Sequence, residues 1–237
     1  MNLGIIGSGR AAWAFASTWK RISWPVVGVA TRGNETPFGT RRSIEELAAT
    51  SDILLVAVSD RAIEEVVATI PETKAIIVHP SGALPAMRGG FSLHPLKSLP
   101  PVGEASDLEG TLLVFEGAHR DVAQRIATAA GARFAEITAE AKTRYHAAAV
   151  FGSNYVAALL DIAEDLIGID DVREDLALLA RSAIDNWLAH NDGQRFTGPA
   201  VRGDEAVMNR HAAALAGQPD LAELYRLLAA HIVAAAK

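Results

Sequence analysis

Met1-Asn-Leu-Gly-Ile-Ile-Gly-Ser-Gly-Arg-Ala-Ala12 decides how the rest of the chain is read. Leu3, Ile5 and Ile6 form the apolar run of a buried strand. Gly7, Gly9 and Ala12 follow in the spacing G-x-G-x-x-A, the fingerprint of a dinucleotide-binding turn with its permitted small third member. Gly7 allows the tight turn out of the strand. Gly9 removes a side chain where a pyrophosphate approaches the backbone, and Ala12 lets the following helix pack on the strand. That helix, expected from Ala11 to about Lys20, aims its free N–H groups and the positive end of its dipole at the phosphates.

Outward from this stretch, Pro25-Val-Val-Gly-Val-Ala30 reads as the second strand. An NAD site places an acid after it to hold the ribose hydroxyls. This chain has Thr31-Arg32, with Arg41 and Arg42 close behind and Glu35 the sole acid nearby. A guanidinium grips a 2′-phosphate that a carboxylate repels, so NADP(H) is expected over NAD(H). Arg32 is the preferred contact. Arg41 and Arg42 read equally well as a solvated loop. The expected cofactor residues are Gly7, Ser8, Gly9, Arg10, Ala11, Thr31, Arg32, Val58 and Ser59.

Ser43 and Glu46 form a capping box that starts a short helix. Asp52-Ile-Leu-Leu-Val-Ala-Val58 is a continuously apolar third strand. Asp60 is expected to cap the helix carrying Ile63, Val66, Val67 and Ile70. Ala75-Ile-Ile-Val78 is the next strand, and Thr111–Phe115 and Arg133–Ile137 close the sheet around a helix over Ala123–Ala130. Strands alternating with helices predict an α/β fold, a Rossmann-like, doubly wound and mostly parallel sheet. Beyond Thr138 only alanine- and leucine-rich helical spacing remains, with breaks near Gly168–Asp171, His190–Asp204 and Gly217–Pro219. The expected domains are 1–138, binding NADP(H), and 139–237, an all-helical domain for substrate and dimerisation.

Composition bounds the function. The 237 residues carry a formal charge of -6, which disfavours a nucleic-acid partner. With no cysteine there is no disulfide, thiolate metal site or thiol nucleophile. No apolar run is long enough for a membrane span, and no leader precedes the first strand, so a soluble, cytoplasmic protein is expected.

Ligands bind such sheets at the carboxyl ends of the strands. Three segments are expected there on loops: Ala57–Ser59, His79-Pro-Ser81-Gly82 and Ser92-Leu-His94-Pro-Leu-Lys97. His79 and His94 each precede a proline, which holds them extended. Ser81 and Gly82 are candidates to hold a substrate carboxylate, although Ser81 serves equally to stabilise its own turn. The first helix of the second domain, read as continuous through Tyr155, sets Lys142, His146 and Ser153 at i, i+4 and i+11 on one face. Asn154 lies further round. Polar groups on one flank of an apolar helix need a wet cavity, a ligand or a buried hydrogen-bond network. Arg202 suits a substrate carboxylate or a pair with Asp204, the cap expected for the next helix. Arg210 and His211 fit catalysis and structure alike, and His119, His190 and His231 read as surface residues. A metal site from His79, His94 and His146 has poor spacing, and no metal is expected.

Taken together, these motifs resemble the 6-phosphogluconate dehydrogenase-like superfamily, to which pyrroline-5-carboxylate reductase and ketopantoate reductase belong. More closely, the chain resembles an uncharacterised oxidoreductase family that joins a Rossmann-like domain to a C-terminal domain of unknown function. The residues carrying the resemblance are Gly7–Arg10, His79–Ala83, Ser92–Leu96, Tyr145–Phe151 with Ser153 and Asn154, and Thr197-Gly-Pro with Arg202-Gly-Asp204. The resemblance implies the two-part fold, NADP binding and a homodimer, but no substrate. In better understood members a lysine and an asparagine four residues apart line the substrate cleft. Lys142 matches the lysine, whereas His146 stands at the asparagine's place. That departure leaves the inherited acid–base roles open and suggests that histidine has taken over proton transfer.

The resulting expectation is an NADP(H)-dependent dehydrogenase or reductase moving hydride to or from a small anionic keto, imino or hydroxy compound. His146, Lys142 and His94 are the candidate catalytic residues; Ser81, Gly82, Ser153, Asn154 and Arg202 are the candidate substrate contacts. The alternative is a non-catalytic NADP(H) sensor. A homodimer also follows from more apolar helix face than one small bundle covers.

Overall fold

The computed structural model describes residues 1–33, 36 and 38–236; Glu35, read above as the acid near the cation, lies outside them. By compactness the chain divides into Met1–Val156 and Ala157–Lys237. In the first unit, β1 (Leu3–Ile6), α1 (Arg10–Arg21), β2 (Val26–Ala30), α2 (Ile44–Thr50), β3 (Ile53–Val56), α3 (Asp60–Thr69) and β4 (Ile76–His79) alternate as expected. β5 (Phe91–Pro95), β6 (Leu112–Gly117), α4 (Arg120–Ala130), β7 (Arg133–Glu136) and α5 (Lys142–Phe151) follow. The sheet order is β2-β1-β3-β4-β5-β6-β7.

All neighbours in the sheet are parallel except β5 and β6. The alternating pattern did not foretell that pair. Its cause lies in the connection over 96–111, which carries no helix among the described residues. Without a crossover the chain re-enters the sheet at the end from which it left, and the pair is antiparallel.

Side chains leave successive strand residues to opposite faces, which builds two cores. Leu3, Ile5, Ile53 and Leu55 pack with Phe15 and Trp19 of α1. Ile6, Leu54 and Val56 pack with Leu47 of α2 and with Ile63 and Val67 of α3. Each such side chain, when fully buried, contributes roughly 1.5–3 kcal/mol. The capping box at α2 is formed: Glu46 N donates to Ser43 Oγ (3.1 Å) and Ser43 N to Glu46 Oε2 (2.8 Å). The N-cap position of α3 falls to Ser59, whose side chain makes no cap hydrogen bond, and Asp60 opens the helix proper.

The chain runs from β1 out to β2 and back across to β3, so the topological switch point lies between β1 and β3. Gly7 turns the chain there at φ +112°, where a Cβ would stand 2.3 Å from the Ala57 carbonyl oxygen. Only glycine fits.

Beyond β7 all regular structure is helical: α6 (Asn154–Ile167), α7 (Arg173–Ala189), α8 (Pro199–Arg202), α9 (Glu205–Ala214) and α10 (Pro219–Ala235), with a 3-10 turn over Gly193–Arg195. The breaks fall near Gly168–Asp171 and Gly217–Pro219 as expected, whereas the stretch His190–Asp204, read as one break, holds the 3-10 turn and α8. Asp204 caps α9 by accepting from Val207 N at 3.1 Å. The switch from strands to helices follows Glu136, whereas the compact division follows Val156, because α5 packs on the sheet through Lys142 and Tyr145.

Candidate functional site

At the switch point the first unit holds a cleft of about 1040 Å³. Gly7, Ser8, Gly9, Arg10, Ala11, Thr31, Arg32, Val58 and Ser59 all line it, together with Arg41, Arg42, Glu46 and Glu65. Every residue that the fingerprint and the second strand suggested for a cofactor is on this one surface. Gly9 is the N-cap of α1 and has no side chain to cap the helix, so its first-turn N–H groups stay free. A Cβ built on Gly9 meets nothing within 4 Å, which leaves an open approach to those amides. Ser8 Oγ and Thr31 Oγ1 join the two loops at 3.1 Å.

The three arginines of the rim differ. Arg42 Nε donates to the Val27 carbonyl at 2.8 Å and its Nη1 lies 4.0 Å from Glu46 Oε1. Arg41 Nη2 donates to the Thr31 carbonyl at 3.1 Å. Arg32 is exposed, and among the described residues nothing binds its guanidinium.

A second constellation lies at the same edge of the sheet. His79 and His94 are not on loops: His79 ends β4 and His94 belongs to β5. β5 runs parallel to β4, so His94 still lies near a carboxyl end. The proline after each histidine fits this extended backbone. His79 is buried, its Nε2 lies 2.9 Å from the Pro85 carbonyl, and burial lowers its pKa. It does not line the cleft at the switch point. Among the described residues no three His, Cys, Asp or Glu side chains are grouped to hold a metal.

Ser81 Oγ donates to Asp60 Oδ2 at 2.9 Å and accepts from Ala83 N and Leu84 N. It therefore ties its own turn to the start of α3, one residue past Ser59 of the cleft. Gly82 follows, and a Cβ there would stand 2.7 Å from His146 Cδ2 and 3.1 Å from His94 Nε2. The two imidazoles are perpendicular, 5.9 Å apart. His94 Nδ1 lies 2.6 Å from the Tyr145 hydroxyl. Burial and the neighbouring His146 and Lys142 hold the His94 pKa down at about 4, Asp60 opposing. Burial pushes Tyr145 up to about 12.

Lys142 is directed elsewhere. It is 1% exposed, and its Nζ donates to Ser92 Oγ (2.6 Å) and the Ser81 carbonyl (3.2 Å), 4.0 Å from Glu116 Oε2. Burial lowers its pKa, with Glu116 and Asp60 opposing. Of the two readings of this helix flank, Lys142 meets the buried network and His146 the half-buried cluster.

The continuous helix through Tyr155 does not form. α5 ends at Phe151 and Gly152–Ser153 make a turn, so Ser153 leaves the arc of Lys142 and His146. Its Oγ donates to the Ala149 carbonyl (2.6 Å) and lies 3.0 Å from Asn154 Oδ1. Arg202 is exposed on α8 in the second unit, and Asp204 is engaged in its cap. His211 Nδ1 lies 2.8 Å from the Tyr225 hydroxyl. His119, His190 and His231 are exposed, as read.

Glu116 was left out of the sequence reading, and Asp60, Ser92 and Tyr145, though they lie in stretches singled out there, were given no role in the site. Glu116 had a signal: an acid at the end of an apolar strand needs a buried partner. Tyr145 had one as well, three residues after Lys142 and on its face of the helix.

The family described as Domain of unknown function (DUF2520) matches residues 112–232, just over half of the chain. The chain belongs to this family. Members of the curated set of proteins give no match. Among solved structures, this DUF2520 chain is similar to a Bacteroides fragilis protein named as a candidate NADP oxidoreductase. That pair is 22% identical with a TM-score of 0.81, covering 98% of this chain and 97% of the other. A Thermotoga maritima protein is 23% identical with a TM-score of 0.74, over 99% and 98% of the two chains. Plasmodium falciparum pyrroline carboxylate reductase, solved with NADP bound, is 13% identical with a TM-score of 0.66 over the full length of both. These likenesses show the fold, a Rossmann-like sheet followed by helices.

Proposed function

We propose that this chain is an NADP(H)-dependent dehydrogenase or reductase acting on a small anionic keto, imino or hydroxy compound. The observation that carries the reading is continuity. The glycine turn and Arg32 line one cleft, and the chain leads from its edge through Ser59, Asp60, Ser81 and Gly82 to the paired imidazoles of His94 and His146.

The residues fit the cofactor. The open face of Gly9 admits a pyrophosphate to the free amides of α1, where the helix dipole favours negative charge. Arg32, whose guanidinium no described residue engages, suits a 2′-phosphate. When bound, the nicotinamide supplies or accepts the hydride. The protein must hold the substrate carbon against it, exclude water and manage one proton. His146, half-buried beside Gly82, is the group placed to give or take that proton. Lys142 acts as a positioning residue that fastens α5 to β5, β6 and the Ser81 turn. Ser81 acts with it by fixing Gly82, while Asn154, next to the end of α5, is the candidate in this unit for the substrate carboxylate.

Titration calorimetry on nucleotide-free protein tests the cofactor. NADPH should bind more tightly than NADH, and Arg32→Ala should lower NADPH affinity roughly tenfold or more while leaving NADH alone. A screen of keto acids, imines and hydroxy acids for NADPH consumption or formation tests the chemistry. His146→Ala should then cut turnover with little change in NADPH affinity. Binding without any turnover would favour an NADP(H) sensor; no heat with either nucleotide would end both readings.

We propose also that the chain works as a homodimer. Leu178, Leu179, Trp187 and Leu188 of α7 are 58–68% exposed, and Leu176 is the buried residue of that helix among those described. Large apolar side chains left this exposed mark a surface that another chain covers. Light scattering behind size exclusion measures the mass directly. No helix among the described residues is long and apolar enough to cross a membrane.

A further inference from the structure

The Tyr145 hydroxyl meets His94 Nδ1 at 2.6 Å, in the range of a strong O–H···N hydrogen bond. One of the two atoms must donate. A half-buried phenol keeps its proton far above neutrality, and among the described residues the Tyr145 hydroxyl has no other acceptor. Giving the phenol proton its one described acceptor points it at Nδ1, which then carries a lone pair. A neutral imidazole has one N–H, so that proton sits on Nε2.

Nε2 has no hydrogen-bond partner among the described residues, yet it is not a sealed atom: it is absent from the buried unpaired groups, which include His79 Nδ1. The Nε2–Cδ2 edge faces Gly82, where a Cβ would stand 3.1 Å away, and the His146 ring lies across from it. Glycine keeps that edge free. We infer that Tyr145 is a positioning residue that fixes His94 as its Nε2–H tautomer, and that His94 lends this N–H as a hydrogen bond to the oxygen or nitrogen of the substrate bond being reduced or oxidised.

This second half rests on the oxidoreductase reading; the first half does not. It also divides the labour between two histidines that look alike in sequence. His94 keeps its proton throughout and acts as a fixed donor, the role in which a neutral imidazole polarises a carbonyl without charging. The groups facing it are Tyr145, His146 and Lys142 from α5 and Asp60 from α3; burial, with His146 and Lys142 nearby, outweighs Asp60 and keeps the ring neutral at pH 7. His146 is left to exchange the proton.

The tautomer is read by long-range proton–nitrogen NMR on full-length, nitrogen-15 histidine-labelled protein at pH 7, with no ligand added. His94 should show the Nε2–H pattern in the wild type and a mixture of tautomers in Tyr145→Phe, with the other histidines unmoved. An Nδ1–H pattern in the wild type, or no change in Tyr145→Phe, overturns the assignment. An Nδ1–H pattern in the wild-type spectrum overturns the first half even if the variant folds poorly.

Kinetics on a compound turned over in the NADPH screen then decide the second half. Glutamine can present an N–H where Nε2 stood, whereas asparagine presents one nearer Nδ1. His94→Gln should retain at least about tenfold more kcat than His94→Asn. The reverse order overturns the hydrogen-bond role. Loss of NADPH binding by the wild type would instead defeat the oxidoreductase reading and leave the tautomer result standing.

Discussion

Lys142 Nζ and Glu116 Oε2 lie 4.0 Å apart, both side chains are buried, and Ser92 Oγ sits between them. That hydroxyl accepts from Lys142 at 2.6 Å and donates to Glu116 Oε2 at 3.4 Å, while the same carboxylate oxygen accepts from Ala86 N at 2.7 Å. Removing one member of a buried pair strands the other charge without solvent, at a cost of roughly 3–5 kcal/mol.

Lys142→Met should therefore lower unfolding stability by roughly 3 kcal/mol in urea titration. Lys142→Met/Glu116→Gln should recover part of the loss, since the amide still accepts from Ala86 N and no charge is stranded. Additive losses in the double variant would show that the pair is not coupled.

The two glycines of the first turn separate structure from binding. At Gly7 an added Cβ meets the Ala57 carbonyl oxygen at 2.3 Å, with φ at +112°, so Gly7→Ala should unfold or severely destabilise the protein. At Gly9 it meets nothing within 4 Å. Gly9→Ala should melt within a degree or two of wild type, yet bind NADPH roughly tenfold or more weakly, because its methyl occupies the phosphate approach. Undiminished binding by Gly9→Ala would remove the pyrophosphate from this turn.

The difference in what the sequence disclosed follows from the range of the forces involved. β1, its glycine turn and α1 are local: three apolar residues, two glycines and a helix start lie within twelve positions, and each has its own mechanical reason. The helical breaks near Gly168, Asp192 and Gly217 are equally local. β5 is not. Phe91-Ser-Leu-His-Pro95 has polar residues and a proline where a buried strand has an apolar run, and it becomes a strand because β4 and β6 flank it. Glu116, Ser92 and Lys142 come from three elements, and no spacing rule brings them together. The Tyr145–His94 bond spans a strand and a helix in the same way. His146 and His94 could be suspected from residue type, but the division between them depends on which ring nitrogen meets a phenol.

The low pKa of His94 makes a prediction about acid stability. Burial, with His146 and Lys142 nearby, lowers it from 6.5 to about 4 in the folded chain. Between those two values the unfolded chain binds a proton that the folded chain refuses. Stability therefore falls as the pH drops from 6.5 toward 4, and this contribution levels off below. The lowered pKa of His79 acts in the same direction, and it is present in any His94 variant, so a comparison cancels it. Between pH 7 and pH 4 the wild type should lose on the order of 2 kcal/mol more than His94→Gln; the full shift would give more, but one edge of the ring meets solvent. Urea unfolding at steps of pH measures the two curves. If they run parallel through this window, His94 titrates alike in both states, and the ring is not held neutral by its setting.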